Sequence, residues 1–145
     1  MHPFYLEIEL IKPVSDFFKS EGYKVFREIR IGFCRADLVA FKNGKVTAVE
    51  LKLSDRKKAF VQAKNYQLAA DFVYFAFPLQ KVYSLLRKCE HTLKKEGIGL
   101  LSVNEKDCTV SKIIKAQQSK RKISTLTIQQ ITKNRFSRKS KFKVY

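Results

Sequence analysis

Two alternating strands joined by Asn43-Gly44 constrain the fold of this chain more than any other part of its sequence. The segment Arg35 to Lys42 alternates and is rich in Val, Leu, Ala and Phe, and Lys45 to Leu53 alternates again. An Asn-Gly pair between two such runs is typical of a two-residue hairpin turn, because both residues accept a positive φ. The pattern therefore predicts a β-hairpin over residues 35–53.

Three polar side chains interrupt this otherwise apolar hairpin. Asp37 lies in the first strand, and Glu50 and Lys52 lie in the second, two residues apart and so on one face of the sheet. Two carboxylates and an ammonium group are costly to desolvate unless they pair with one another or bind a metal ion. A cross-strand salt bridge is one explanation of the group, and a site for a divalent cation is the other.

Hydrophobic periodicity in the rest of the chain predicts an α/β fold, in which helices flank a mixed β-sheet. The predicted order is a helix over Phe4–Ser20, a strand over Tyr23–Ile31, the hairpin, a helix over Asp55–Ala70 capped by Ser54, a strand over Phe72–Phe77, a helix over Lys81–Glu96, and strands over Ile98–Val103 and Cys108–Ile114. Pro13 is unfavourable inside a helix, so we expect the first helix to be bent or to begin as a short turn followed by a second segment.

A change in composition at Ala116 predicts two parts, a domain over residues 1–115 and a basic C-terminal tail over residues 116–145. The chain carries 30 Lys and Arg against 13 Asp and Glu, a formal net charge of +17, and no acidic residue follows Asp107. This excess makes an anionic polymer the first partner to expect, with a membrane surface as the competing explanation. A short helix over Thr125–Lys133 is compatible with the sequence of the tail.

Composition also argues against several classes of protein. No apolar run approaches the ~20 residues of a membrane-spanning helix, and the N-terminus lacks a signal-peptide pattern. Cys34, Cys89 and Cys108 are scattered and form no CxxC pair, which disfavours a disulfide framework, a zinc site or an iron–sulfur cluster. We therefore expect a cytoplasmic protein that binds nucleic acid and not a membrane. The isolated His2 and His91 are assigned no role.

Asp37 followed by Glu50-Leu51-Lys52 resembles the D…(D/E)xK signature of the PD-(D/E)XK nuclease superfamily. The predicted elements also resemble that family's αβββαβ core, here followed by a helix and two strands, and the resemblance covers roughly residues 4–78. Ala36 stands where the family name has proline. The resemblance implies a restriction-endonuclease-like fold and a metal-dependent nuclease acting on DNA in repair, recombination or restriction, as an endonuclease rather than an exonuclease.

Both the chemistry of phosphodiester hydrolysis and the resemblance assign roles to this group. Mg²⁺, or Mn²⁺ as a substitute, would be held by Asp37 and Glu50, with the Leu51 carbonyl as a third ligand. Lys52 would position the attacking water or stabilise the developing negative charge.

Four further residues are candidates for the site. Glu7, predicted on the apolar face of the first helix, resembles the extra acidic ligand of many members, including Holliday junction resolvases, and Glu28 on the preceding strand is its rival. Gln62 and Tyr66, four residues apart on one helix face, resemble the Q-x-x-x-Y motif of RecB-type members, whose residues contact the active site or the nucleic acid. Ordinary structural roles are the alternative for all four.

The basic residues of the tail are expected to contact phosphates, which raises affinity without reading sequence. The residues assigned to this role are Lys120, Arg121, Lys122, Arg135, Arg138 and Lys139. A solvated segment without a partner is the alternative for the tail. For the whole chain, the alternatives to a nuclease are a non-catalytic nucleic-acid-binding protein of the same fold and a basic subunit of a larger assembly. A homodimer would supply the two sites that cutting both strands requires.

Overall fold

A computed structural model of the chain, which describes residues 4–31, 34–54 and 56–123, contains a six-stranded mixed sheet flanked by helices in that part of the chain. The elements in chain order are a 3₁₀ turn Glu7–Leu10, α1 Ile11–Ser20, β1 Lys24–Ile31, β2 Cys34–Lys42, β3 Lys45–Leu51, α2 Arg56–Gln67, β4 Phe72–Pro78, α3 Leu79–Glu96, β5 Gly99–Val103 and β6 Val110–Ile114. This order of helices and strands confirms the predicted α/β fold.

The strands lie in the sheet in the order in which they occur in the chain. Strands β1, β2 and β3 form an antiparallel meander, β3 is parallel to β4, β4 is parallel to β5, and β5 pairs antiparallel with β6. The helices α2 and α3 supply the two crossovers that parallel pairing requires. Asn43 (φ 52°) and Gly44 (φ 75°) form the tight turn between β2 and β3, which confirms the predicted hairpin.

Both faces of the sheet are covered, so the core has two layers of apolar side chains. The 3₁₀ turn and α1 cover one face, where their side chains pack with residues of β2, β3 and β5: Leu10, Val14, Phe18, Leu38, Val49 and Leu101. Helices α2 and α3 cover the other face, where the shared cluster includes Ala59, Ala63, Tyr66, Leu93, Phe75 and Leu100. The continuous apolar run of β4 follows from this burial on two faces.

The start of the chain differs from the prediction of one helix over Phe4–Ser20. The 3₁₀ turn comes first and α1 begins only at Ile11, so Pro13 lies in the first turn of the α-helix, where its missing N–H costs no helical hydrogen bond. The sequence allowed either a bent helix or a short turn followed by a second segment, and the structure has the second of these forms. Leu6, inside the predicted helix, lies before the turn and is 62% exposed, so the predicted start of the helix was wrong.

The beginning of the predicted tail lies against the domain. Three backbone hydrogen bonds hold it: Gln117 N–H donates to the Gly97 carbonyl (3.0 Å), Ser119 N–H to the Asp71 carbonyl (2.7 Å) and Ile123 N–H to the Leu68 carbonyl (2.8 Å). The division at residue 115 stays a prediction, and the helix proposed over Thr125–Lys133 falls outside the described residues. In the described part of the chain, no helix is both long and apolar enough to cross a membrane.

Candidate active site

The candidate site lies where β2 and β3 stop pairing. Their antiparallel pairing runs from the hairpin turn to Leu38 and Val49, and Asp37 and Glu50 occupy the next position in that register. Strand β3 continues there alongside β4, with Glu50 beside Phe75. Beyond this position β2 separates from β3, whereas β3 stays paired with β4. We call this point of separation the fork, and it has one carboxylate on each strand, Asp37 on β2 and Glu50 on β3.

An irregularity in β1 lies directly across from this fork. Glu28 has a φ of 56°, although it lies inside a strand, and the β1–β2 register places it opposite Asp37. Residues three apart on a regular strand face opposite sides, yet Phe26 and Ile29 both join the core under α2 and α3. The left-handed backbone at Glu28 therefore reverses the alternation of β1.

Strand β2 shows the same reversal. Ala36 and Val39, the register partners of Ile29 and Phe26, also lie three apart and share that core. The reversal of alternation therefore occurs in both strands, at Glu28 in β1 and at the opposite residue Asp37 in β2. A left-handed non-glycine residue is strained, and such strain is found preferentially at functional sites.

Asp37 is held by the backbone of β3. The Leu51 N–H donates a hydrogen bond of 2.9 Å to Asp37 Oδ2, so the side chain takes the place of a strand carbonyl. Burial raises the pKa of Asp37, and the Glu7 carboxylate adds to the increase. The Leu51 hydrogen bond, a hydrogen bond with Glu50 and the charge of Lys52 oppose it. The carboxyl groups of Asp37 and Glu50 therefore lie close enough for each to affect the pKa of the other.

Glu50 is only 2% exposed, which is unusual for a glutamate. Its Oε1 accepts a hydrogen bond of 2.9 Å from the Tyr66 hydroxyl, and its Oε2 lies 3.3 Å from Lys52 Nζ. Burial and the adjacent Asp37 carboxylate raise the pKa of Glu50 to about 7, although Tyr66 and Lys52 oppose the increase. The structure thus brings together Asp37, Glu50 and Lys52 on neighbouring strands.

Tyr66 connects α2 to this group. The residue is fully buried, and its hydroxyl lies 2.9 Å from both Glu50 Oε1 and the Arg35 carbonyl oxygen. Gln62, one turn earlier, is half-buried, and within the described part of the chain its buried Oε1 has no hydrogen-bond partner. Of the Q-x-x-x-Y pair, the structure therefore brings Tyr66 into contact with the acids and not Gln62.

A small pocket borders Asp37 on the α1 side of the sheet. Its volume is about 120 Å³, and its lining residues are Glu7, Ile8, Ile11, Arg27, Glu28, Asp37 and Leu51. Glu7 is exposed, so its predicted place on a buried helix face was wrong, because the segment folds as a 3₁₀ turn. Both acids proposed as an additional ligand nevertheless line this pocket. Arg27, which lines it too, was not singled out from the sequence.

The donors present suit a hard divalent cation. Asp37 and Glu50 offer carboxylate oxygens at opposite positions of the β2–β3 register, and Lys52 supplies one compensating charge 3.3 Å from Glu50. Within residues 4–31, 34–54 and 56–123, no group of three or more His, Cys, Asp or Glu side chains is arranged to hold a metal ion. A cation would therefore bind two carboxylates and complete its shell with other oxygens. The role of the Leu51 carbonyl stays a prediction.

The basic residues predicted in the tail lie elsewhere or outside the described residues. Arg121 pairs with Glu96 (2.8 Å), and Lys122 pairs with Asp71 (3.1 Å). Asp71 also accepts the Val46 N–H at the start of β3, about 13 Å along that strand from Glu50. Lys120 is exposed beside them. Arg135, Arg138 and Lys139 are outside the described residues, so their predicted phosphate contacts stay predictions.

Comparisons with known proteins identify the fold and no family. No protein-family model matches the chain. No curated protein matches it either. The solved structures that it resembles include a protein of unknown function, SPO1766 from Silicibacter pomeroyi, with a TM-score of 0.62 and 15% identity over 91% of each chain.

The chain is also similar to two other solved structures. One is an XisH family protein from Nostoc punctiforme PCC 73102, with a TM-score of 0.56 and 17% identity over 73% of this chain and 96% of the other. The second is a fdxN element excision controlling factor protein from Anabaena variabilis, with a TM-score of 0.54 and 18% identity over 76% of this chain and 97% of the other. At such identities the similarity shows a shared fold alone.

Proposed function

We propose that the chain is a metal-dependent nuclease of the PD-(D/E)XK superfamily, with a restriction-endonuclease-like fold, that hydrolyses phosphodiester bonds in DNA. The observation that carries the proposal is the position of Asp37 and Glu50 opposite each other where β2 and β3 stop pairing, with Lys52 Nζ 3.3 Å from Glu50 Oε2. A fold that needed only a salt bridge would gain little from burying a second acid. The sequence order Asp, Glu, Lys and the order of elements both support the proposal.

The residues around the acids hold them in place before any ligand binds. Leu51 N–H fixes Asp37, and the Tyr66 hydroxyl fixes Glu50 from the α2 side. A bound Mg²⁺ supplies the positive charge that activates water and stabilises the transferring phosphoryl group. Fixed ligands reduce the reorganisation that binding and reaction require.

Lys52 is placed to act on the reacting atoms. Its side chain is 14% exposed and lies within 3.3 Å of Glu50, so the ammonium group is held near the carboxylates yet remains accessible to a substrate. An ammonium in that position orients the attacking water or stabilises the negative charge that develops on the phosphate. Lys52 directly follows β3, and its N–H donates to the Ala76 carbonyl of β4, so the β-sheet fixes its spacing from Glu50.

The charge of the chain supports a nucleic-acid substrate. A net charge of +17 attracts a polyanion at a distance and increases the rate of association. One similar structure is named as an excision controlling factor, which is compatible with an activity on DNA. We propose DNA as the substrate, and matched DNA and RNA tests decide between the two polymers.

The experiment is a cleavage assay on supercoiled plasmid, branched DNA and RNA, with Mg²⁺, Mn²⁺ or EDTA. We expect cleavage of DNA with either metal and none in EDTA. Asp37→Asn and Lys52→Ala should reduce cleavage more than 100-fold while binding is retained. The matched controls are Asp16→Asn and Lys12→Ala, which remove the two partners of an exposed surface ion pair and should cleave as the parent does.

Two results would contradict the nuclease proposal. One is the absence of cleavage of every substrate with both metals, and the other is cleavage that survives in Lys52→Ala at the parental rate. The first result would favour the second candidate, a non-catalytic nucleic-acid-binding protein of the same fold, and the second would show that the cleavage does not depend on Lys52. The observation in favour of that candidate is that the described residues offer no third acidic side chain arranged with Asp37 and Glu50 as a ligand group.

A further inference from the structure

A second pocket opens between the N-terminal ends of α2 and α3, at the end of β4. Its volume is about 160 Å³, and the residues that line it are Ser54, Arg56, Phe77, Lys81, Ser84 and Leu85. Its polar lining consists of two cations and two hydroxyl groups, with no acid among these residues. This composition suits an anion with several acceptor oxygens.

The pocket adjoins the candidate active site on the same face of the sheet. Lys52 N–H donates to the Ala76 carbonyl (3.0 Å), so Lys52 follows β3 alongside Phe77, about 4.8 Å away across the sheet. Phe77 shares its core cluster with Tyr66, which bonds Glu50. Ser54 lies two residues beyond Lys52, at most about 7 Å along the chain. The pocket therefore begins one strand width from Lys52.

The two cations of the pocket have no ion-pair partner among the residues that the structure describes. Within the described residues, neither Arg56 nor Lys81 makes an ion pair, whereas Arg121 and Lys122 each pair with an acid. Burial raises the pKa of the Cys89 thiol, and the positive charge of Arg56 opposes this increase by a smaller amount. Two free cations on neighbouring helices repel each other, and a bound anion relieves that repulsion.

Both helices begin at this edge of the sheet. Helix α2 begins at Arg56 and has 12 residues, and α3 begins at Leu79 and has 18 residues. The first N–H groups of a helix have no intrahelical acceptor and carry part of the positive end of the helix dipole. At the start of α3 the Gln80 N–H already donates to Glu105 Oε2 (3.2 Å), so the positive charge of the pocket comes from the side chains of Arg56 and Lys81.

We propose that this pocket binds a backbone phosphate of the nucleic-acid strand whose neighbouring phosphate occupies the Asp37–Glu50–Lys52 site. Arg56 and Lys81 supply the charge, and the hydroxyls of Ser54 and Ser84 donate hydrogen bonds. The identity of the strand rests on the proposed function, but the binding itself requires no cleavage. Because phosphates repeat at short, regular spacing along a strand, one strand can occupy both sites at once.

The test is a binding measurement in EDTA, in which no cleavage takes place. Fluorescence anisotropy of a labelled single-stranded DNA oligonucleotide is compared for the parent, for Arg56→Gln/Lys81→Gln and for the control Lys57→Gln/Arg87→Gln. The control removes one Lys and one Arg from exposed positions on the same two helices, outside the pocket. We expect affinity to fall at least tenfold in the pocket variant and less than threefold in the control.

Salt dependence supplies a second readout. Loss of one phosphate contact should reduce the slope of log affinity against log salt by about 0.7 for a single strand. The single variant Ser84→Ala, which keeps every charge, should also weaken binding, whereas the exposed Ser111→Ala should not. Equal losses in the pocket and control double variants, or an unchanged salt slope in the pocket variant, would overturn the proposal.

The outcomes separate this inference from the proposed nuclease function. If the parent cleaves DNA and the pocket variant binds as the control does, the phosphate pocket is refuted and the nuclease stands. If the parent cleaves nothing and the pocket variant alone loses affinity, the pocket stands and the nuclease is refuted.

Discussion

The Leu51 N–H donates its hydrogen bond to the Asp37 carboxylate, 2.9 Å away, where a regular hairpin would continue its backbone pairing. The side chain thus stabilises the end of β3 while β2 diverges from it. As a consequence the Asp37 carboxyl group meets that of Glu50 at the fork. Two acids held together in this way repel each other when both are ionised, and this repulsion has measurable consequences.

Stability should decrease with pH when divalent metal is absent. The pKa of Glu50 is raised from 4.5 to about 7 by burial and by Asp37, so between these values the folded chain binds more protons than the unfolded chain. The free energy of unfolding therefore falls as pH rises from about 5 to 8, by roughly 2 kcal/mol. Urea denaturation in EDTA measures this change.

The Glu50→Gln variant checks the source of that pH dependence. Glutamine cannot ionise, yet it can still accept the hydrogen bond of Tyr66, so its denaturation midpoint should vary less with pH and exceed that of the parent at pH 8. The exposed Glu90→Gln should retain the parental profile. Parallel profiles for the parent and Glu50→Gln would show that Glu50 does not titrate as described.

Divalent cations should stabilise the folded chain. With a dissociation constant of about 1 mM, 10 mM Mg²⁺ adds about 1.4 kcal/mol and raises the melting temperature by roughly 3–5 °C. Differential scanning fluorimetry should show this shift for the parent and its reversal by EDTA, and no shift for Asp37→Asn. Because the cation competes with the proton on Glu50, the shift should be larger at pH 8 than at pH 6. An equal increase in melting temperature for Asp37→Asn and for the parent would show that the cation binds at another site.

Tyr66→Phe should weaken both the fold and the site. The substitution removes a buried hydroxyl that lies 2.9 Å from Glu50 and from the Arg35 carbonyl, which costs about 1–2 kcal/mol of unfolding free energy. We also expect cleavage to be about tenfold slower, because Glu50 loses the contact that positions it. Tyr83→Phe, at a residue 70% exposed, is the matched control and should change neither quantity.

Glu28→Gly tests the strained backbone of β1. Glycine accepts a φ of 56° without steric cost, and this gain offsets its larger loss of conformational entropy on folding. The variant should therefore be at least as stable as the parent to within about 0.5 kcal/mol, while Lys24→Gly, on the same strand at an exposed position, should lose about 1 kcal/mol. Similar losses in both variants would argue against strain at this position.

Truncation distinguishes residues 116–123 from the rest of the basic segment. A chain ending at residue 123 should match the full chain in stability, whereas one ending at residue 115 leaves the buried carboxylate of Asp71 without Lys122 and should lose about 3 kcal/mol or more. Lys122→Ala should reproduce much of this loss, and Arg121→Ala, which breaks a more exposed pair, should cost less than about 1 kcal/mol. Equal unfolding free energies for the two truncated chains would contradict this role.

Local pattern was sufficient for most elements of the fold. The alternation on either side of Asn43-Gly44 predicted β2 and β3, and the apolar run before Pro78 predicted β4, because these signals depend only on neighbouring residues. The first helix was the main error. Its periodicity continued to Leu6, but the helix itself starts at Ile11, since Pro13 is tolerated only in the first turn.

The convergence of the acids was anticipated, but not its details. Counting along the hairpin placed Asp37 near Glu50, because the tight turn fixes the register. The hydrogen bond from Leu51 to Asp37 and the left-handed backbone of Glu28 were not foreseen. Alternation rules assume regular strands, and Glu28 carries no sequence signal for a positive φ.

The sequence by itself determined the order of helices and strands and the three polar residues that meet at the hairpin fork, because periodicity and turn chemistry are local. Only the tertiary structure decided that Tyr66 reaches Glu50, that Arg56 and Lys81 share a pocket next to Lys52, and that Lys122 pairs with Asp71. These relationships join residues far apart in the chain. They depend on how the helices pack across the sheet, which no local pattern specifies.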